Sequence, residues 1–198
     1  MTIPDDAFQN CLILLMGLPG VGKQTVGKAL ARQTNFRLVD HHGYYDVFLK
    51  LFGDDGSVME TLDEQAWDQL TAMENLILAT IAEVCPKKNN YVITQMMFDQ
   101  DPYHQAFYEE VLTVANKRQA VFIPIRLVCE KDELARRVQS ESRKQYFKTT
   151  DPKVSYQRSR EKQVFYSKNP NEMTIDNTHK TPDEVVNLII HHVRDCQP

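Results

Sequence analysis

One short segment restricts this chain more than any other. Gly17-Leu-Pro-Gly-Val-Gly22-Lys23 follows an apolar run, Cys11–Met16, and leads directly into a helical pattern from Gly22 to Gln33. The spacing is G-x-x-x-x-G-K, placed between a strand and a helix as a phosphate-cradling loop requires. Three glycines let the backbone turn tightly and aim successive N–H groups inward. The start of the helix adds partial positive charge. Lys23 supplies a compact cation able to reach the β- and γ-phosphates of a nucleotide.

The rest of the chain alternates apolar runs with helical patterns. Strands are expected at Cys11–Met16, Phe36–Asp40, Tyr91–Thr94, Val121–Val128 and Met173–Ile175. Pro124 places the fourth of these at a sheet edge or an irregularity. Helices are expected at Tyr44–Phe52, Glu64–Cys85, Pro102–Lys117, Lys131–Gln139, Val154–Tyr166 and from Thr181 to about Arg194. The long one shows Ala66, Trp67, Leu70, Met73, Leu76, Ile77, Thr80, Ile81 and Val84 at helical spacing, stopped by Pro86. Thr181-Pro182-Asp183-Glu184 has the form of a capping box. Five alternations predict an α/β three-layer sandwich, a five-stranded parallel sheet with helices on both faces. Ligands of such sheets lie beyond the carboxyl ends of the strands. At 198 residues the chain reads as one domain, 1–198, with a polar lid at about 140–153.

Composition excludes several classes. Net charge is −4, against a generic nucleic-acid binder, yet residues 136–168 hold ten Lys/Arg and three Asp/Glu while the remainder holds 13 and 24. A locally basic segment on an acidic protein points to an anionic ligand handled in one place. The competing reading is a solvated helical face. No stretch reaches the roughly 20 apolar residues of a membrane helix. The first ten residues lack the basic start of a secretory signal. Four cysteines without a CxxC pair fit a reducing, cytoplasmic setting without zinc or disulfides. The absence of an Asn-Lys-x-Asp guanine motif argues against a GTPase switch.

The loop carries Gln24 after its lysine, where many such loops carry a magnesium-binding hydroxyl, and Thr25 one step later. Gly-Lys-x-Thr, with Pro19 before it, resembles the loop of the nucleoside monophosphate kinases. The whole chain resembles the shikimate-kinase-like and nucleoside-monophosphate-kinase-like branch of P-loop kinases in its order of elements. That resemblance implies an ATP-dependent transfer of the γ-phosphate to a hydroxyl or phosphate of a small molecule, with Mg2+ as cofactor. It implies nucleotide contacts from Gly17, Gly20, Val21, Gly22, Lys23, Gln24, Thr25 and Asn177. Lys23, Asp40, Arg137 and Arg143 stand as the catalytic set, and Thr25 and Asp40 as metal contacts through water. Arg136, Lys144 and Lys148 are substitutes for Arg137 and Arg143, and the alternative use of these arginines is helix-surface pairing with Glu133 and Glu141. Asp40 alternatively makes a turn or caps the following helix. His41 and His42 are weaker site residues.

The third strand lacks the metal-organising aspartate of many ATPases. Between Asp40 and Tyr91 there is no arginine, so shikimate itself is a poor fit. Tyr44, Tyr45, Phe48, Trp67, Met96, Met97 and Phe98 offer an aromatic pocket or core packing. The expected partners are therefore ATP and a small acceptor, with no nucleic acid and no membrane, in a monomer or homodimer. A catalytically weak nucleotide-binding regulator remains the alternative.

Overall fold

The computed structural model describes residues 8–53, 58–140, 143 and 150–197. At its centre is β1 (Cys11–Gly17), buried along its whole length. It lies between β3 (Asn90–Gln95) and β4 (Val121–Val128); β2 (Phe36–Asp40) flanks β3 and β5 (Met173–Asp176) flanks β4. All the pairings are parallel. A parallel sheet needs cover on both faces, and the alternating side chains of β1 divide accordingly. Ile13 and Leu15 enter a core with α1 (Lys23–Gln33) and α8 (Pro182–Cys196). Leu12, Leu14 and Met16 enter a second core with α4 (Glu64–Glu83) and α5 (Pro102–Arg118). Each such buried side chain contributes roughly 1.5–3 kcal/mol. A third apolar cluster joins α2 (His41–Leu49), α3 (Val58–Thr61) and α4 through Tyr45, Phe48, Val58 and Leu70. The remaining helices among the described residues are α6 (Lys131–Arg137) and α7 (Pro152–Glu161).

Register positions the site. Asp40 pairs with Thr94, Thr94 with Leu15, and Leu15 with Ile125. The end of β2 is therefore level with the end of β1, and the loop that begins at Gly17 emerges beside Asp40. Close packing of α1 against this rung depends on Gly27: a Cβ there would lie 2.7 Å from Leu38 Cδ1.

Several sequence expectations are corrected. β4 is an interior strand, not an edge; Pro124 is tolerated because pairing with β5 begins only at Ile125. The helix expected from Tyr44 starts at His41, so both histidines belong to its first turn. The helix expected over Val154–Tyr166 stops at Glu161, and the chain then leaves helical geometry, with Phe98 bridging to Val164. Leu76 in α4 and Val84 at its C-cap are exposed, while Glu74 and Leu78 take buried positions. Most of the expected lid, including Glu141, Lys144 and Lys148, lies outside the described residues. The capping box at Thr181 and Glu184 is formed. No helix among the described residues is long and apolar enough to cross a membrane.

Candidate functional site

A cleft of about 1620 Å³ opens at the carboxyl ends of the strands. The loop after β1 forms its floor. Gly20 and Gly22 hold φ of 95° and 101°, in the region that side chains disfavour. A Cβ on Gly20 would lie 2.6 Å from Val138 Cγ1, so the loop also presses against the end of α6. Gly22 is the N-cap of α1 and supplies no side-chain cap. The first-turn amides of α1 therefore depend on other acceptors, such as an anion at the helix start. Lys23 is buried, and its Nζ donates to the carbonyls of Gly17 at 2.7 Å and Leu18 at 3.1 Å. Thr25 is exposed and lines the cleft.

Arg137 ties this loop to the segment after β5. Its Nη1 donates to Asn177 Oδ1 at 3.0 Å and Val21 O at 3.3 Å, and its Nη2 to the carbonyls of Asn177 and Thr178. Asn177, itself buried, donates to Val21 O at 2.7 Å. Arg137 Nε bonds Glu133 at 2.7 Å, and Arg136 grips the same carboxylate with two nitrogens. Hydrogen bonds from Arg136 and then Arg137 hold Glu133 down to about 2. The pairing alternative for Arg136 and Arg137 is thus realised with Glu133, and Arg137 meets backbone carbonyls besides. Arg143 lines the cleft, and burial lowers its guanidinium below the ordinary range.

Asp40 stands at the N-cap position of α2, yet its carboxylate does not cap the helix. Thr94 Oγ1 donates to Oδ1 at 2.7 Å, and the Gln24 side-chain amide donates to Oδ2. The Gln24 amide that replaces the usual hydroxyl therefore joins the loop to the end of β2. His41 Nδ1 lies 3.1 Å from the Thr94 carbonyl, a contact that a protonated Nδ1 makes. Among the described residues, no group of three His, Cys, Asp or Glu is placed to hold a metal.

Beyond Asp40 lies a cluster that sequence reasoning missed. Glu74 on α4 is only 2% exposed. Its Oε1 accepts from Tyr44 at 3.2 Å, Tyr45 at 3.1 Å and Gln95 Nε2 at 3.0 Å, and its Oε2 accepts from Tyr103. Desolvation by burial pushes the Glu74 carboxyl up, and the four donors oppose that rise. Burial also pushes the tyrosine hydroxyls up, beyond the ordinary phenolic range. The signal was present: Ala66, Leu70, Glu74 and Leu78 recur every four residues, placing an acid in the buried stripe. Of the aromatic pocket expected from sequence, Tyr45, Trp67, Met96 and Phe98 line the cleft, whereas Met97 and Phe48 pack in the cores.

Residues 13–166, more than half of the chain, match the family described as AAA domain. The chain belongs to the AAA domain family. Its fold is that of P-loop small-molecule kinases. A shikimate kinase from Acinetobacter baumannii superposes with a TM-score of 0.62 at 16% identity, covering 97% of this chain and 98% of that one. A gluconokinase from Sinorhizobium meliloti gives 0.60 at 14% identity, covering 95% and 94%. A sugar kinase from a Janibacter species gives 0.57 at 14% identity, covering 96% of each. A curated relative, the pentafunctional AROM polypeptide of Schizosaccharomyces pombe, is 30% identical over 70 residues, which span 35% of this chain and 4% of that protein.

Proposed function

We propose that this chain is one domain that transfers the γ-phosphoryl group of ATP to an oxygen of a small acceptor. The observation that carries the reading is the junction of loop and carboxylate. Gln24, in the first turn of α1 directly after the glycine-rich loop, bonds Asp40, so the phosphate cradle and a general base open on one cleft. Nucleotide phosphates take the amides from Gly20 to Thr25, and Lys23 exchanges its loop carbonyls for β- and γ-phosphate oxygens. Arg143 adds positive charge where charge develops. Arg137 holds the loop and the Asn177–Thr178 segment, where the base of the nucleotide packs. Thr94 and Gln24 engage two of the lone-pair sites of Asp40, and a carboxylate has about four. One that remains receives the acceptor's proton as its oxygen bonds the γ-phosphorus and the bond to the bridging oxygen of ADP breaks.

The oxygen donors at the cleft fit magnesium held chiefly by nucleotide oxygens and water, with Thr25 and Asp40 as the protein contacts. When bound, that ion neutralises charge along the phosphates. Isothermal titration of Mg-ATP into the wild type and Lys23→Ala tests the reading. Loss of at least about tenfold in affinity is expected from removing one charge-assisted contact. An affinity unchanged by that substitution overturns it. Tight binding with no turnover on any acceptor would make the chain a nucleotide-binding regulator instead.

A further inference from the structure

We propose that the acceptor site selects a hydroxylated or aminated compound without carboxylate or phosphate, through the tyrosine cluster organised by Glu74. The inference rests on the kinase reading and names the substrate class of the same cleft.

The acceptor half of the cleft is lined by Asp40, His41, Tyr45, Trp67, Gln95 and Tyr103, among others between residues 40 and 104. Among the described residues, no lysine or arginine from that stretch reaches the lining. The arginines that line the cleft are Arg136, Arg137, Arg143 and Arg158, all from α6, α7 or the stretch between them. Two of those bond Glu133. The acceptor wall therefore lacks a fixed cation: its ionisable groups are the carboxylates of Asp40 and Asp101 and the imidazoles of His41, His42 and His104, with Glu74 behind Tyr45 and Tyr103.

The direction of the hydrogen bonds sharpens this. A phenol has one proton. Tyr103 directs its proton to Glu74 Oε2, and Tyr44 directs its own to Oε1. Tyr45 sends its proton to Glu74 at 3.1 Å or to the Tyr103 oxygen at 2.8 Å. The Thr94 hydroxyl is turned to Asp40. Tyr45 and Tyr103 thus offer the cleft oxygen lone pairs, which welcome O–H or N–H donors and repel carboxylate oxygens. Neutral donors such as the Trp67 indole and the Thr71 hydroxyl also line the cleft, but neutral donors compensate poorly for desolvating an anion. The Trp67 and Tyr45 rings suit a sugar or nucleoside ring, or an ammonium group. Glu74 is a positioning residue: it sets which way the phenolic protons point.

The test measures ADP release at saturating Mg-ATP with a panel of neutral polyols, nucleosides, aminoalcohols and amino sugars against shikimate, gluconate and phosphorylated alcohols. Mg-ATP binding is measured separately. At least one non-anionic compound is expected to exceed every anionic one by about 10²-fold in kcat/KM, the scale on which polar sites reject mismatched partners. Tyr103→Phe is expected to raise KM for that compound about tenfold with kcat and Mg-ATP affinity unchanged, as loss of one acceptor implies. Glu74→Gln brings amide N–H donors into the cluster, forces phenolic protons outward and lowers the discrimination about tenfold. A carboxylate or phosphate ester turned over as fast as the best neutral compound overturns the inference. So does a panel with no active member although Mg-ATP binds. Absence of Mg-ATP binding instead strikes the kinase reading.

Discussion

The loop from Gly17 to Thr25 and the wall beyond Asp40 face each other across one cleft but are made in opposite ways. The loop is one unbroken stretch made of main-chain amides, glycine conformations and a single lysine. The wall gathers Asp40, Tyr45, Glu74, Gln95 and Tyr103 from β2, α2, α4, β3 and α5, and works through side chains in a buried network. A backbone site needs few residue identities and suits a ligand common to many proteins. A side-chain network specifies a ligand, because each member fixes the proton direction of its neighbours. On the proposed function, the loop carries chemistry common to P-loop proteins and the wall carries selectivity.

Four experiments break or sharpen that division. The largest effect is expected at its boundary. Asp40→Asn should lower kcat on the order of 10²–10³-fold while leaving Mg-ATP affinity nearly unchanged, since a general base contributes on this scale; steady-state kinetics with titration calorimetry checks it. A similar fall in ATP affinity would place Asp40 in the nucleotide half.

Next comes Arg137→Leu. It removes bonds to Glu133, Val21, Asn177 and Thr178, so about 2–3 kcal/mol of stability should disappear, and Mg-ATP should bind more weakly. Denaturant unfolding measures the first part. Stability within error of wild type would show that the loop stands without its clamp.

A smaller loss is expected from Tyr44→Phe, which deletes one of four donors to Glu74 and costs about 1 kcal/mol. Mg-ATP affinity should not move, which separates wall from loop.

The smallest effects concern pH, and they have opposite signs. Burial raises Glu74 above its ordinary 4.5, so above that value the folded state retains a proton that the unfolded chain releases. Its contribution to stability therefore falls as pH rises through that window. Glu133 is lowered to about 2, so its stabilisation is complete above 4.5 and is lost as pH falls toward about 2. In thermal melts, Glu74→Gln should flatten the decline on the higher side and Glu133→Gln the decline on the acid side, each by a few degrees, about the scale of 1 kcal/mol. Identical pH profiles in both variants would sink the assignment.

Much of this architecture was legible in the chain itself. The strand, three glycines, lysine and helix near residue 17 are local in sequence, and the structure places them together as read. The alternation of elements determined the parallel sheet for the same reason: periodicity is a property of neighbouring residues. Asp40 was legible by its place at a strand end. Tertiary structure alone decided the rest. Pro124 became acceptable inside the sheet because β5 joins one residue later. The Gln24 amide found Asp40 because sheet register sets the end of β2 beside the loop. Glu74 was hidden within a helical stripe, and its meaning came from tyrosines 29 or 30 residues away in sequence. A short chain segment encodes its own backbone turns, but the proton direction of a buried carboxylate network depends on partners that only folding brings within about 3 Å of one another.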